Sequence, residues 1–219
     1  MSTSTAPRST RTRPAPAPPR RPSRRRGIRR RLGLLAAVAF AGVIVAASLA
    51  PWADKAVKEV SLPLRHEDII RQQAADKDLD PALIAGVIYA ESRFRDQTSQ
   101  AGAKGLMQLM PGTAEYIAEK SGGTAFVQGD LATPQVNISY GSWYLRYLLQ
   151  KYEGRVVLAL AAYNAGEGKV DEWVAGASAN GETFRAADHI PFPETRSYVE
   201  RVLDARERYR RTYPRELAL

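Results

Sequence analysis

The chain has 219 residues, of which 44% are hydrophobic, and a formal net charge of +9 at pH 7. This length accommodates one well-buried domain with extensions, and hardly two. The sequence has no cysteine, which excludes disulfides, thiolate catalysis and cysteine-ligated zinc. Its two histidines, His66 and His189, lack the spacing of a metal site or a Ser-His-Asp triad.

The positive charge is concentrated at the N-terminus. Residues 1–31 carry eleven arginines and no acidic residue, whereas the rest of the chain has 21 basic and 23 acidic residues. Residues 32–219 therefore have a net charge of −2. Nothing in them indicates a nucleic-acid surface, and no nucleic-acid partner is expected. Because residues 1–31 are rich in Ser, Thr, Pro and Arg, we expect a disordered cytoplasmic tail.

An uncharged segment, residues 32–50, follows this tail directly. As a helix it would span about 28 Å, close to the hydrocarbon thickness of a bilayer. Basic residues that flank a membrane span stay in the cytoplasm, so we expect a single transmembrane signal anchor with the rest of the chain outside. A cleaved signal peptide is the alternative, because Ser48 and Ala50 are small residues that would suit a peptidase.

Residues 51–63 are predicted to be a linker, and helical periodicity then continues almost to the C-terminus. The sequence predicts helices at residues 64–75, 81–94, 113–120, 133–152, 155–163, 170–174 and 194–211, with a loop or short hairpin at 96–104. Because residues 155–163 are almost wholly apolar, we expect that helix to be central. The fold class is therefore mainly α: an α-rich globular domain with a substrate cleft, at residues 64–213, followed by a tail at 214–219.

Glu91 interrupts the apolar pattern of the helix predicted at residues 81–94. Asp80 suits the N-cap and Pro81 the first helical position, and the apolar residues of the buried stripe are Leu83, Ile84, Val87 and Ile88. Glu91 lies on this stripe, one heptad after Ile84. Burial and the negative end of the helix dipole both favour a protonated carboxyl group near neutral pH, so Glu91 is a candidate general acid. A surface Glu at a frayed helix end is the alternative.

Several short patterns follow Glu91 in a fixed order. They are Glu91-Ser92, the run GAKGLMQLMP at 102–111, Asn137 with Gly141, the run AAYNAG at 161–166, and the run PFPETRSYV at 191–199. Together they resemble the catalytic domain of the soluble lytic transglycosylase family, which shares the goose-type lysozyme fold. The resemblance extends from about residue 64 to residue 213.

The resemblance implies an enzyme that cleaves peptidoglycan without water. Its target would be the β-1,4 bond between N-acetylmuramic acid and N-acetylglucosamine, and its products would carry 1,6-anhydromuramic acid ends. The family's catalytic Glu falls on Glu91, which would act first as an acid and then as a base. Because the substrate's N-acetyl group stabilises the developing charge, the second carboxylate of an ordinary glycosidase is not needed.

The resemblance also implies substrate-binding residues. Ser92 would orient Glu91 or the C6 hydroxyl group of the sugar, Gln108 would offer a hydrogen-bond donor and an acceptor, and Tyr163 would lie near the N-acetyl group. The other residues expected to bind substrate are Met107, Met110, Asn164 and Glu194. No metal or organic cofactor is implied. The expected partners are peptidoglycan glycan strands, on the periplasmic or cell-wall side of a bacterial cytoplasmic membrane.

Alternative functions remain open. A hydrolytic muramidase would admit water to the same intermediate, and a noncatalytic peptidoglycan-binding module would keep the fold as a glycan clamp, although the presence of Glu91 argues against the latter. Another alternative assigns the function to residues 1–31 as a binder of anionic lipid or nucleic acid, but the adjacent apolar segment explains the arginines as a topology signal. The sequence does not indicate which cell-wall or secretion machinery the protein serves.

Overall fold

A computed structural model of the chain describes Ser48 and residues 60–123 and 126–219. Its helices are α1 (Glu67–Lys77), α2 (Pro81–Ser92), α3 (Pro111–Ser121), α4 (Pro134–Lys151), α5 (Val156–Ala165), α6 (Glu167–Ala179), α7 (Ala186–His189) and α8 (Pro193–Thr212), with a 3₁₀ turn at Gln128–Ala132. β-Pairing in the described residues is limited to two isolated bridges, which pair Lys104 with Thr98 and with Leu109. The mainly α prediction is confirmed.

The predicted tail at residues 1–31 and the predicted anchor at 32–50 lie outside the described residues, apart from Ser48. The predicted linker, 51–63, is described only from residue 60 onward. Among the described helices, none has both the length and the apolar character needed to cross a membrane.

Most predicted helices are present, but some of their ends differ. Helix α1 begins at Glu67 because His66 takes a left-handed backbone conformation with φ of 57°. The helix predicted at 170–174 is much longer, and extends from Glu167 to Ala179. It continues through Gly168 and Gly176, because neither glycine adopts a left-handed φ.

Helix α5 lies at the centre of the domain, as its apolar sequence predicts. Residues 158–162 are buried at 2% exposure or less. Helices α4, α6 and α8 pack around it. The C-terminal end of α5 carries Tyr163 and Asn164, so the central helix delivers both residues to one place in the fold.

Helix α2 is held against α8 at its start and at its middle. At its start, the Asp80 side chain accepts a hydrogen bond from the Ala82 amide at 2.9 Å. The same carboxylate forms an ion pair with Arg206 Nε of α8 at 2.6 Å. Midway along the helix, Gly86 packs directly against α8: a Cβ atom there would lie 2.9 Å from the Val202 carbonyl oxygen. This close approach fixes the end of α2, which carries Glu91, against α8.

The described residues outside the helices also pack against the domain. Leu62 is 3% exposed and Leu217 is fully buried. The expected domain limits at residues 64 and 213 therefore each leave a core side chain outside them.

Candidate active site

Glu91 lies in the last turn of α2, where the backbone turns sharply. Arg93 and Phe94, which follow the helix, both take left-handed conformations with φ of 52° and 60°. The Arg93 amide closes the helix by donating to the Tyr89 carbonyl oxygen at 3.1 Å. Two consecutive non-glycine residues with positive φ are uncommon, and such strain is concentrated at functional sites.

The Glu91 carboxyl group titrates near neutral pH. Burial raises its pKa from 4.5 to about 7, against the lowering effects of the Tyr198 phenol and the Arg201 guanidinium. The direction of this shift agrees with the sequence-based expectation. At a pKa near 7, the carboxyl group can both donate and accept a proton at physiological pH.

Two tyrosines interact with Glu91. Burial raises the pKa of Tyr163 and of Tyr198 well above 10, and the Glu91 charge raises both further. Both phenols therefore stay neutral. Tyr163 Oη donates a hydrogen bond to the Met107 carbonyl oxygen at 3.0 Å.

Tyr198 was not singled out by the sequence analysis, although it lies within the run PFPETRSYV. Its side chain is 2% exposed. Its hydroxyl group lowers the pKa of the Glu91 carboxyl group. Within the described residues, however, this hydroxyl group makes no hydrogen bond of regular geometry. A signal was available in the sequence, because Tyr198 lies on the apolar stripe of α8 with Val199 and Val202, where a hydroxyl group needs a partner.

The loop between α2 and α3 is held by one buried amide. Asn137 Nδ2 donates to the carbonyl oxygens of Lys104 at 2.9 Å and Leu131 at 3.0 Å, while its Oδ1 accepts from the Met107 amide at 2.8 Å. Gly105 makes room for this amide: its φ is 75°, and a Cβ atom there would lie 2.1 Å from Asn137 Nδ2. The loop is therefore rigidly attached to α4.

Met107 lies in the core beneath the loop between α2 and α3 and contacts Tyr163. Its side chain is fully buried and packs on Gly141, where a Cβ atom would lie 2.4 Å from the Met107 sulfur. Its amide and carbonyl groups are bonded to Asn137 and Tyr163. The Met107 side chain therefore belongs to the core, and the expectation that Met107 binds substrate stays a prediction for its backbone.

Ser92 is also internal. It is 2% exposed, and its Oγ donates to the Leu106 carbonyl oxygen at 2.7 Å, with the Ile88 carbonyl oxygen at 3.2 Å as a second acceptor. The hydroxyl group therefore joins the end of α2 to the loop that carries Met107. It is directed into the protein and is too buried to reach a sugar hydroxyl group.

Gln108 and Met110 lie on the outer side of this loop. Gln108 has a φ of 48°, and its Nε2 donates to the Gln97 carbonyl oxygen at 2.9 Å and to the Gly105 carbonyl oxygen at 2.8 Å. Within the described residues its Oε1 has no donor, so it is available to a ligand. Met110 is 43% exposed and presents an apolar surface beside it.

Asn164 follows Tyr163 in the chain, and Glu194 precedes Thr195, the hydrogen-bond partner of Asn164. Asn164 is exposed, and its Oδ1 accepts a hydrogen bond from Thr195 Oγ1 at 2.8 Å. Glu194, the neighbour of Thr195, is exposed. This bond joins the end of α5 to the start of α8, and so brings the runs AAYNAG and PFPETRSYV together.

Residues 68–183 match the transglycosylase SLT domain, a match that covers more than half of the 219 residues. The chain belongs to this family. The resemblance found in the sequence is thereby confirmed.

Named relatives of this SLT domain include the soluble lytic murein transglycosylase of Escherichia coli K12, which is 34% identical over 155 residues, or 69% of this chain and 24% of the relative. Another is the membrane-bound lytic murein transglycosylase C of Actinobacillus pleuropneumoniae, which is 32% identical over 162 residues, or 64% of this chain and 44% of the relative. The chain spans about a quarter of the length of the soluble relative.

Two solved structures support the same fold. The 70 kDa soluble lytic transglycosylase of Escherichia coli superposes with a TM-score of 0.65 at 32% identity, over 70% of this chain and 25% of that protein. The lytic transglycosylase Slt of Pseudomonas aeruginosa, solved as an inactive Glu-to-Gln mutant, gives a TM-score of 0.63 at 34% identity, over 70% of this chain and 25% of that protein. The SLT fold is therefore shared.

Proposed function

We propose that this SLT domain is a peptidoglycan lytic transglycosylase, which cleaves between N-acetylmuramic acid and N-acetylglucosamine and leaves a 1,6-anhydro ring. The observation that carries the proposal is the Glu91 carboxyl group, whose pKa of about 7 results from burial. The names of the two relatives given above, both lytic murein transglycosylases, support the choice of substrate.

In the first step Glu91 acts as the acid. It donates its proton to the glycosidic oxygen, the bond from that oxygen to C1 breaks, and the carbonyl oxygen of the muramic acid N-acetyl group attacks C1. A carboxyl group with a pKa of about 7 is protonated in a useful fraction of molecules at neutral pH. Tyr163, whose Oη still has a free lone pair, accepts a hydrogen bond from the N-acetyl N–H and orients that group.

In the second step the Glu91 carboxylate acts as the base. It removes the proton of the C6 hydroxyl group, O6 attacks C1, and the bond from the acetyl oxygen to C1 breaks. No water is consumed. Glu91 regains its proton, so one carboxyl group completes the cycle. The absence of a second carboxylate among the groups that shift the Glu91 pKa, within the described residues, supports this single-carboxyl mechanism.

Side chains of the α2–α3 loop and of the facing ends of α5 and α8 are proposed to bind the glycan. Gln108 Oε1 accepts from a sugar hydroxyl or amide group, and Met110 packs against a ring face. At the end of α5 and the start of α8, Asn164 and Glu194 contact the substrate directly. Ser92 and Met107 have supporting roles, since both are buried.

The test is mass spectrometry of the fragments that the protein releases from purified sacculi. We expect muropeptides lighter by one water than reducing muropeptides, and none from the Glu91→Gln variant. Asp96→Asn serves as the control, because Asp96 is an exposed acid on the loop that follows α2. Reducing ends would instead establish a muramidase. Binding of sacculi without any released product would establish a glycan-binding module.

We also propose that residues 32–50 anchor the enzyme as a single span, with the SLT domain on the periplasmic or cell-wall side of a bacterial cytoplasmic membrane. The uncharged segment and the arginines before it support this topology. Carbonate extraction of membranes, followed by protease treatment of whole and lysed spheroplasts, tests it. A mature protein that is shorter by the first 50 residues would instead indicate a cleaved signal peptide.

A further inference from the structure

Two arginines lie over the ring of Tyr89, next to the segment that leads into α1. The guanidinium carbons of Arg93 and Arg208 are each 5.8 Å from the centroid of this ring. The Ser61 carbonyl oxygen accepts hydrogen bonds from Tyr89 Oη at 3.1 Å and from Arg208 Nη2 at 3.2 Å. The two arginines therefore lie directly beside residue 61, near the start of the described domain.

Arg201 extends this cluster along α8. It precedes Arg208 by seven residues, which is nearly two full turns, so both lie on almost the same side of the helix. Arg201 is exposed, and it is close enough to Glu91 to lower the pKa of that carboxyl group. We name Tyr89, Arg93, Arg201 and Arg208 the Arg208 face. It reaches from the start of the described domain to the candidate active site.

The positive charge of the Arg208 face is only partly neutralised. Asp204 lies between Arg201 and Arg208 on α8, and its carboxylate is 3.6 Å from Arg208 Nη1. That pair is exposed to solvent and is therefore weak. Among the described residues, Arg93 and Arg201 form no ion pair. The face thus carries three arginines against one aspartate.

The other nearby acids of α8 are turned away from this face. Glu200 and Glu207 each precede an arginine of the face by one residue, so they lie about 100° around the helix from it. A ligand that approaches the Arg208 face therefore meets a net positive charge. An anion is the ligand that this charge favours.

The chain leads from this face towards the proposed membrane span. Val60, the residue before Ser61, is 84% exposed. The uncharged segment ends at residue 50, so at about 3.5 Å per residue Val60 stays within about 35 Å of it. A tether this short gives the face a high effective concentration at a membrane surface.

We propose that the Arg208 face binds anionic phospholipid headgroups on the outer surface of the membrane. This inference rests on the proposed span at residues 32–50. Guanidinium groups match phosphate oxygens in charge and geometry, and tyrosine is favoured where lipid meets water. Binding fixes the orientation of the domain and holds the candidate active site close to the membrane surface.

The test is energy transfer from a dye on the full chain to an acceptor dye on lipid headgroups. Because the chain has no cysteine, Ser197→Cys supplies a single labelling position, exposed and one turn before Arg201 on α8. The protein is reconstituted in vesicles of phosphatidylcholine, with or without about 30% phosphatidylglycerol. We expect higher transfer with phosphatidylglycerol, falling to the level of pure phosphatidylcholine in about 0.5 M salt.

Substitution of the arginines separates the face from the net charge of the protein. Arg93→Gln with Arg208→Gln should lower the ratio of docked to undocked domains about ten- to thirtyfold, whereas replacement of both by Lys should retain most of the transfer. The matched control is Arg155→Gln with Arg185→Gln, which removes the same charge from two exposed arginines elsewhere and should change nothing. Equal transfer in the two kinds of vesicle, or an equal loss in both Gln pairs, overturns the inference.

Two further measurements distinguish the alternatives. Flotation with pure phosphatidylcholine vesicles tests the span, because the span needs no anionic lipid; flotation only with phosphatidylglycerol would contradict the span and leave this inference standing. Soluble polyphosphate tests for a polymer ligand. Its binding to the Arg208 face, combined with equal transfer in the two kinds of vesicle, would assign the face to a soluble polyanion and overturn the inference.

Discussion

At the scale of single residues, Glu91 is held between opposing electrostatic effects. Burial disfavours its carboxylate, whereas Tyr198 and Arg201 stabilise it, and burial is the largest of these effects. A carboxyl group without Tyr198 and Arg201 would stay protonated and be a poor base. A fully solvated one would stay ionised and be a poor acid. The pKa of about 7 is suited to both proposed steps.

The raised pKa of Glu91 also predicts a pH-dependent stability difference. Between pH 4.5 and about 7 the folded state binds more protons at Glu91 than the unfolded state does, so its stabilising contribution is complete below pH 4.5 and is lost as the pH rises through 7. Relative to Glu91→Gln, the parent protein should lose up to about 3 kcal/mol across this range. Urea unfolding of both proteins at pH 4, 5.5 and 8 measures the difference, and a constant difference would contradict the pKa assignment.

Substitution of Tyr198 tests the second effect on Glu91. Tyr198→Phe removes the hydroxyl group that lowers the Glu91 pKa, so that pKa should rise above about 7. The basic limb of the kcat/KM profile should then move to higher pH, because Glu91 stays protonated longer. The control is Tyr209→Phe, which removes a buried hydroxyl group of the same helix that bonds to the Pro63 carbonyl oxygen. A basic limb that moves to lower pH, or moves equally in the control, would rule out this role.

At the scale of secondary-structure elements, the site depends on how closely α2 approaches α8. Gly86→Ala would place a Cβ atom 2.9 Å from the Val202 carbonyl oxygen and 3.2 Å from the Arg206 amide nitrogen, both of them backbone atoms. We expect a loss of about 1–3 kcal/mol of unfolding free energy, although alanine is the better helix former. Thermal and urea unfolding measure this loss.

Gly176→Ala is the matched control for Gly86→Ala. Gly176 lies inside α6, and a Cβ atom there meets nothing within 4 Å. This substitution should stabilise the protein by up to about 1 kcal/mol, because helix propensity then acts alone. Stabilisation by both substitutions would mean that α2 and α8 are not in close contact at Gly86.

The elements that the sequence predicted well are those with a strong local signal. Asp80 and Pro81 mark the start of α2, and the apolar run of α5 made its central position predictable. The helix predicted at 170–174 is present, but its length was underestimated because Gly168 and Gly176 suggest breaks that the backbone does not make. The extra length of α6 comes from packing against its neighbours, which no local pattern contains.

The candidate site was predictable only in part, for a similar reason. Glu91 was detectable because a carboxyl group interrupted an apolar stripe. The buried positions of Met107 and Ser92 depend on Gly141 and on the Leu106 carbonyl oxygen, which are distant in sequence or belong to the backbone. Tyr198 comes from α8, at the far end of the chain, and only the folded structure brings it to Glu91.

At the scale of the whole molecule, the described segment before α1 is bound by the rest of the domain. The Tyr89 hydroxyl group donates to the Ser61 carbonyl oxygen at 3.1 Å, and the Tyr213 hydroxyl group to that of Leu62 at 2.8 Å. Tyr209 donates to the Pro63 carbonyl oxygen. Because Tyr89 lies on α2 two residues before Glu91, the first of these bonds connects the start of the domain to the helix that carries Glu91.

This arrangement predicts that the chain from residue 54 is more stable than the chain from residue 64, where the sequence analysis began the domain. The shorter protein loses the burial of Leu62 and the carbonyl acceptors of three tyrosines, since Ser61, Leu62 and Pro63 are absent. We expect a difference of about 3–5 kcal/mol in the free energy of unfolding, measured in urea.

Tyr89→Phe should lower the free energy of unfolding by about 1 kcal/mol in the longer protein and leave it unchanged in the shorter one. Equal unfolding midpoints for the two proteins would show that this segment contributes nothing to the fold.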